Sequence, residues 1–146
     1  MNLHEYQGKE MLNSFGVEIQ RGIVAQTPAE AIAAAKKLTE DTGTGWHVIK
    51  AQIHAGGRGK GGGVKLAKNL DEVSQIAGEI IGMHLITPQT SAEGKLVSQV
   101  LVTEDVYYPG ESEPSEFYIS VLMNRATGRN MIMYSTEGGM DIEAVA

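Results

Sequence analysis

The sequence predicts a mixed α+β fold, because helical and strand-like patterns alternate along its 146 residues. Helix starts with clear capping residues are followed by short β-prone runs. A glycine-rich segment, residues 56–63, lies between two of these runs. Together these features indicate an α+β chain organised around one glycine-rich loop.

Composition limits the classes of function. The hydrophobic share of 42% and charged share of 21% are ordinary for a globular domain. A net charge of −6 argues against a nucleic-acid partner, which usually meets a basic surface. Because the chain has no cysteine, disulfides and thiolate chemistry are excluded. No signal peptide or membrane-spanning run is evident, so we expect a cytoplasmic protein without a membrane partner.

Three segments have the apolar spacing of amphipathic helices, and each begins at a residue that caps helix N-termini. Asn2 and Thr27 cap the first two, and Pro28 stands at the first helical position of the second. Asn69 caps the third. The predicted helices cover residues 2–15, 27–38 and 69–81.

β-prone runs account for most of the remaining chain. Turn residues separate them, and the acidic segment 105–114 is predicted to be an exposed loop. A second glycine-bearing loop is predicted at residues 135–141, followed by the start of a helix at 142–146. The predicted strands cover residues 17–19, 23–25, 46–53, 64–66, 96–103, 117–123 and 131–134.

The glycine-rich segment, here called the glycine flap (residues 56–63), contains six glycines together with Arg58 and Lys60. Glycine lacks a Cβ atom, so its amides approach a ligand closely, and amides beside two cations form an anion site. A hairpin turn alone needs only one or two glycines. The flap is therefore predicted to contact phosphate.

Two other phosphate motifs do not fit this segment. A P-loop needs Ser or Thr after its lysine, whereas Gly61 follows Lys60. Residues 57–62 spell G-x-G-x-x-G, but the dinucleotide fingerprint leads into a helix and here a β-prone run follows. Lys50, in the apolar run that enters the flap, needs an anionic partner, and a phosphate is favoured over a plain surface role.

Three segments resemble the β subunit of succinate–CoA ligases, in order and at compatible spacing. They are MNLHEYQ at residues 1–7, KAQIHAGGRGK at 50–60 and STEGGM at 135–140. The resemblance covers essentially the whole chain. It implies an ATP-grasp fold, with residues 1–103 as the N-terminal subdomain and residues 104–146 as the truncated start of the second.

The resemblance also implies which residues contact the nucleotide. Lys50 matches a phosphate-contacting lysine, and Gly57, Arg58 and Gly59 match the flap triplet. Val102, Thr103 and Glu104 match the segment against which the purine lies, although family members often carry glutamate where Thr103 stands. Glu116 matches a glutamate that reaches the ribose. No catalytic or metal-ligating residue is expected within this chain.

The implied activity belongs to a longer, heteromeric succinate–CoA ligase, of the kind named ADP-forming or GDP-forming. In it, cleavage of succinyl-CoA is coupled to nucleoside triphosphate synthesis through a phosphohistidine on an α subunit, in the citric acid cycle. Mg²⁺, CoA and succinate are implied ligands, with metal ligands expected beyond residue 146, in a bacterial cytoplasm or mitochondrial matrix. A malate–CoA ligase, the nucleotide half of a citrate lyase, and a non-catalytic nucleotide-binding module remain alternatives.

Overall fold

The computed structural model describes residues 2–110 and 115–138. The chain forms two compact units, Met1–Glu111 and Ser112–Ala146. The predicted helix at 142–146, and Gly139 and Met140 of the third motif, lie outside the described residues. The assignment of residues 1–103 and 104–146 as ATP-grasp subdomains stays a prediction.

The first unit contains three helices and six strands among its described residues. The helices are α1 (Glu5–Ser14), α2 (Pro28–Thr42) and α3 (Leu70–Ile80). The strands are β1 (Gly22–Ala25), β2 (His47–Ala51), β3 (Val64–Ala67), β4 (His84–Leu85), β5 (Lys95–Leu96) and β6 (Val100–Glu104).

A four-stranded antiparallel sheet with strand order β1-β6-β2-β3 is the centre of the first unit. Because side chains alternate along a strand, one face of β2 carries buried Ile49 and Ala51 and the other carries Lys50. Helices α2 and α3 pack on the face of the buried residues. The hydrophobic core thus lies between two helices and the sheet, and Lys50 points away from it.

Local signals explain the ends of α2 and α3. The Thr27 side chain accepts a hydrogen bond from Glu30 N at 3.2 Å, and Asn69 Oδ1 accepts one from Glu72 N at 2.9 Å. Helix α2 continues four residues past the predicted end at Leu38 and stops at Gly43, whose φ of 76° is left-handed.

Three sequence predictions are corrected. The first helix is capped by His4 rather than Asn2, and Gln7 Oε1 accepts from His4 N at 2.9 Å. Residues 17–19 form no strand. The strand predicted at 96–103 is interrupted, because Val97 exchanges backbone hydrogen bonds with Gly82 and Met83 before β6 begins.

The C-terminal part of the predicted apolar stripe of α1 is exposed. Phe15 is 83% exposed, and Met11 and Leu12 are each about half exposed. No residue of α1 is buried in the described structure. Its half-buried residues lie at positions 5–9, so the N-terminal half of the helix makes its contacts with the rest of the first unit.

The second unit contains one antiparallel hairpin of β7 (Tyr118–Asn124) and β8 (Arg129–Ser135). The sequence predicted both strands, within two residues at each end. Its turn is stabilised by Asn124 Oδ1, which accepts from Ala126 N at 3.0 Å. Gly128 takes a left-handed φ of 64° before β8 begins.

Candidate functional site

Lys50 has an acidic partner within the chain. Its Nζ atom lies 3.2 Å from Glu5 Oε1 and donates to Gln20 Oε1 at 2.7 Å. Burial lowers the pKa of Lys50, while the Glu5 carboxylate acts to raise it. The lysine predicted from the sequence to need an anion therefore has one, supplied by the first turn of α1.

The Glu5 carboxylate contacts three cationic side chains. Glu5 Oε1 lies 3.1 Å from Lys9 Nζ as well as near Lys50, and Glu5 Oε2 lies 2.9 Å from Arg58 Nη2. Burial acts to raise the pKa of Glu5, but Lys50, Lys9 and Arg58 together outweigh it and lower the pKa to about 2. Glu5 is thus ionised at neutral pH, and two positive charges of the group remain uncompensated by it.

The glycine flap is closed at its base and rests on the segment that follows β4. Ala51 N donates to Gly63 O at 2.7 Å, and Arg58 Nη1 donates to Ala51 O at 2.7 Å. Gly59 O accepts from Gly62 N at 3.1 Å inside the flap. The prediction of a strand, glycine flap, strand arrangement is confirmed, since β2 and β3 pair antiparallel on either side.

Two flap glycines are required by close backbone approach. Gly57 has a φ of 71°, and a Cβ there would stand 2.9 Å from Pro88 Cδ. A Cβ on Gly61 would collide with the carbonyl oxygen of Ile86. These glycines allow the flap to lie directly on residues 86–88, and this contact sets the position of the flap relative to Lys50.

The strand β6 places the three predicted purine-contacting residues at the centre of the sheet. Val102 and Thr103 are fully buried and pair with β1 and β2 on their two sides. Glu104 ends the strand, where its backbone oxygen accepts from Gln20 Nε2 at 2.7 Å and its side chain accepts from Arg21 N at 2.7 Å. Of the three side chains, only that of Glu104 is partly accessible.

Gln20 connects the end of β6 to the cationic group. Its Oε1 accepts from Lys50 and, at 3.0 Å, from Lys9, while its Nε2 donates to Glu104 O. The structure therefore brings Lys50, Arg58 and Glu104 into one hydrogen-bonded system. Sequence analysis missed Glu5 and Lys9; their only signal was an i,i+4 acid–base pair at the start of a helix.

Two histidines stack beside the flap. The His4 and His54 rings are 4.0 Å apart between centroids and nearly parallel at 17°. Burial lowers the pKa of His4, and His54 and Arg58 add to that effect. A hollow of about 390 Å³ opens next to them and is bounded by Glu5, Gly56 and Arg58 among others.

Glu116 belongs to the second unit, and its position is described there alone. Its backbone oxygen accepts from Gly138 N at 3.1 Å, and a Cβ on Gly138 would meet Glu116 at 2.5 Å. The structure thus places Glu116 against the loop that follows β8. Its predicted contact with a ribose stays a prediction, as do the predicted contacts of the other site residues.

No metal-ligand set is present in the part of the chain that the structure describes. Among residues 2–110 and 115–138, no three His, Asp or Glu side chains stand close enough to hold a metal ion. No described helix is long and apolar enough to cross a membrane.

Comparison with known proteins identifies the family of this chain. A family model described as an ATP-grasp domain matches residues 2–146. The chain belongs to the ATP-grasp family. The predicted fold is thereby confirmed, and membership implies that the chain binds nucleotide.

Curated relatives match the whole of this chain. It is 82% identical to the ADP-forming succinate–CoA ligase subunit beta of Christiangramia forsetii and 77% identical to that of Flavobacterium johnsoniae. The corresponding subunit of Chlorobium limicola is 55% identical. The chain spans 36–37% of the length of these relatives. They carry the name that the three sequence motifs predicted.

Solved structures support the fold. Two structures of a dinucleotide-forming acetyl-coenzyme A synthetase 1 from Ca. Korarchaeum cryptofilum match with TM-scores of 0.61 and 0.63. They are 23% and 19% identical, and the matches cover 93% and 91% of this chain but 53% and 52% of the other. One of them was determined with coenzyme A, acetyl-coenzyme A and a phosphorylated phosphohistidine segment.

Proposed function

We propose that this chain is the nucleotide-binding N-terminal part of the β subunit of an ADP-forming succinate–CoA ligase. The observation that carries the proposal is the cationic group of Lys9, Lys50 and Arg58 at the base of the glycine flap, where three positive charges share the single carboxylate of Glu5 among the described residues. Identity of 82% along the whole chain to a subunit of that name supports the specific activity.

The residues of this chain would contribute electrostatic stabilisation. Phosphoryl transfer is accelerated mainly by positioning and by cations placed on phosphate oxygens. Lys50 and Arg58 lie on opposite oxygens of one carboxylate, so both reach the same small volume at the base of the flap. We assign them to the nucleotide's phosphates, with Gly57 and Gly59 keeping the flap backbone close.

The end of β6 is assigned to the purine base. Glu104 is its accessible residue, whereas Val102 and Thr103 contribute backbone and sheet packing from buried positions. Glu116 is assigned to the ribose from the family resemblance. Relatives described as ADP-forming favour ATP over GTP, although Gln20, which resembles a purine-reading glutamine of GTP-forming members, keeps GTP as the alternative.

The remainder of the reaction is assigned to the rest of the β subunit and to the α subunit. Mg²⁺ would be held by residues beyond residue 146, and CoA, succinate and the phosphohistidine involve the rest of the β subunit and an α subunit partner. The bacterial relatives favour the cytoplasm over a mitochondrial matrix. The isolated chain is expected to bind nucleotide weakly and to turn over nothing.

The test uses the full-length β subunit assembled with its α subunit. Replacing Lys50→Ala should lower kcat/KM for the nucleotide by about a hundredfold or more, since a cation at the phosphates is lost. Lys36→Ala, on the exposed side of α2, is the matched control and should leave kcat/KM for the nucleotide unchanged. Unchanged kinetics for Lys50→Ala would remove the proposed role of this site.

The acid substrate is tested separately, because it is expected to bind to other parts of the enzyme. The full-length wild-type enzyme is assayed with succinate, malate and citrate at equal concentration. Turnover with succinate at least tenfold above the others is expected. A preference for malate or citrate would replace succinate–CoA ligase with one of those two related enzymes.

A further inference from the structure

Glu5 is the one described residue that contacts Lys9, Lys50 and Arg58 together. These cations come from three elements: Lys9 from α1, Lys50 from β2 and Arg58 from the flap. Glu5 precedes Lys50 by 45 residues and Arg58 by 53 in the chain. The contact therefore joins parts of the first unit that chain connectivity does not keep together.

The two carboxylate oxygens of Glu5 contact different cations. Oε1 faces the two lysines, at 3.1 and 3.2 Å, while Oε2 faces the arginine of the flap at 2.9 Å. Arg58 is thus held at two ends, by Glu5 and by the carbonyl of Ala51. This arrangement fixes the arginine over the end of β2, directly beside Lys50.

The helix that carries Glu5 has no fully buried residue, and its half-buried residues lie at positions 5–9. The polar contacts of Glu5 and Lys9 with Lys50, Arg58 and Gln20 are therefore an important attachment of α1 to the sheet. A carboxylate serving only as a helix-capping charge would need none of these contacts.

We propose that Glu5 is a positioning residue for nucleotide turnover, which holds Lys50 and Arg58 side by side at the base of the flap. The inference rests on the proposed function and deepens it. Without the carboxylate, three cations would repel one another and the flap arginine would lose one of its two anchors. The charges would still attract polyphosphate, but they would no longer stand in a fixed geometry.

This arrangement predicts a specific split of kinetic constants in the full-length enzyme. Glu5→Gln should lower kcat by about ten- to a hundredfold, because cations that are misplaced by an ångström stabilise the transition state poorly. KM for the nucleotide should stay the same or fall, because a negative charge has been removed from the phosphate site. A raised KM with unchanged kcat would overturn the proposal.

A second readout observes the flap without any reaction. Gly62 and Gly63 amides donate within the flap at 3.1 and 2.8 Å, so they have measurable protection against hydrogen exchange. In the full-length enzyme without nucleotide, Glu5→Gln should exchange these amides at least threefold faster while β6 amides are unaffected. Equal flap exchange in the variant and the wild type would contradict a positioning role.

Two further variants complete the design. Glu10→Gln removes an exposed carboxylate from the same helix and should match the wild type in kinetics and in flap exchange. Glu5→Asp keeps the charge but is one methylene shorter, so it should reproduce the lowered kcat and the faster exchange. A wild-type-like Glu5→Asp enzyme would show that charge alone suffices and would overturn the proposal, even if Glu5→Gln fails to fold.

The outcomes separate this inference from the proposed function. A wild-type enzyme that does not use succinyl-CoA would remove the proposed function, yet flap exchange would still report whether Glu5 holds Arg58. An active wild-type enzyme whose flap is indifferent to Glu5→Gln would remove only the positioning role.

Discussion

Two antiparallel hairpins of the described structure, β2–flap–β3 and β7–β8, differ in what supports them. The first, β2–flap–β3, buries Ile49, Ala51 and Ala67 beneath two helices. The second, β7–β8, is regular through seven paired residues but leaves Ile119, Val121 and Ile132 more than 60% exposed. Strand pairing is therefore similar in both, and only the first has a buried core in the described structure.

The difference shows that a β-prone pattern predicts pairing but not burial. Two-stranded hairpins are marginal in water unless further strands or helices cover them. The flap hairpin gains that cover from the sheet and from α2 and α3, and its long loop gains order from Arg58. Four experiments sharpen or break this comparison.

The largest difference should come from core truncation. Ile49 is fully buried, so Ile49→Ala should cost about 2–5 kcal/mol of the free energy of unfolding of the first unit. Val121, at 68% exposure, should lose less than about 0.5 kcal/mol as Val121→Ala. Hydrogen exchange of β2, β6 and β7 amides measures both, and equal losses would break the comparison.

Acid should loosen the first hairpin through Glu5. The pKa of Glu5 falls from 4.5 to about 2 on folding, so its stabilisation is complete above pH 4.5 and is lost as the pH falls towards 2. The loss should reach about 2–3 kcal/mol. Comparing acid unfolding of the wild type with Glu5→Gln isolates it, and identical pH dependence would contradict the assignment.

The third experiment compares the stability cost of a glycine-to-alanine substitution in each of the two hairpin loops. Gly61→Ala would place a methyl group on the carbonyl of Ile86 and should cost about 1–3 kcal/mol in the first hairpin. Gly128→Ala meets no atom within 4 Å and carries only the strain of a φ of 64°, about 1 kcal/mol. Amide exchange in each loop gives the ranking, and the reverse order would refute the close contact.

The smallest expected effect is a histidine-dependent loss of stability of the first unit near neutral pH. Burial lowers the pKa of His4 and of His47 in the folded chain, so the unfolded chain takes up protons first. Stability of the first unit should therefore fall as the pH drops from 7 through 6.5 to 5.5, with the sign set by the lowered pKa values.

The second hairpin is the internal control for that experiment. Residues 118–135 contain no histidine and no carboxylate, so their exchange, corrected for its intrinsic pH dependence, should not change over this interval. His47→Gln should remove part of the effect in the first unit. A wild-type stability that is flat between pH 7 and 5.5 would contradict the depressed pKa values.

Much of the fold could be predicted because it depends on local chemistry. The caps at Thr27 and Asn69 and the β-prone runs around the flap lie at the predicted positions. The ends of elements were less certain, since the interruption before β6 depends on backbone hydrogen bonds to residues 82 and 83. The apolar stripe of α1 is only partly buried, because periodicity does not show whether a partner surface is present.

The candidate site likewise has features that the sequence predicts and contacts that depend on the tertiary structure. By itself the sequence determined the glycine flap, its cations and the need of Lys50 for an anion, because these follow from backbone freedom and charge within about twenty residues. Only the tertiary structure decided that the anion is Glu5, and that Gln20 joins Lys50 to Glu104. Those contacts cross 30 to 84 residues of chain, so they exist only once the sheet and helices have packed.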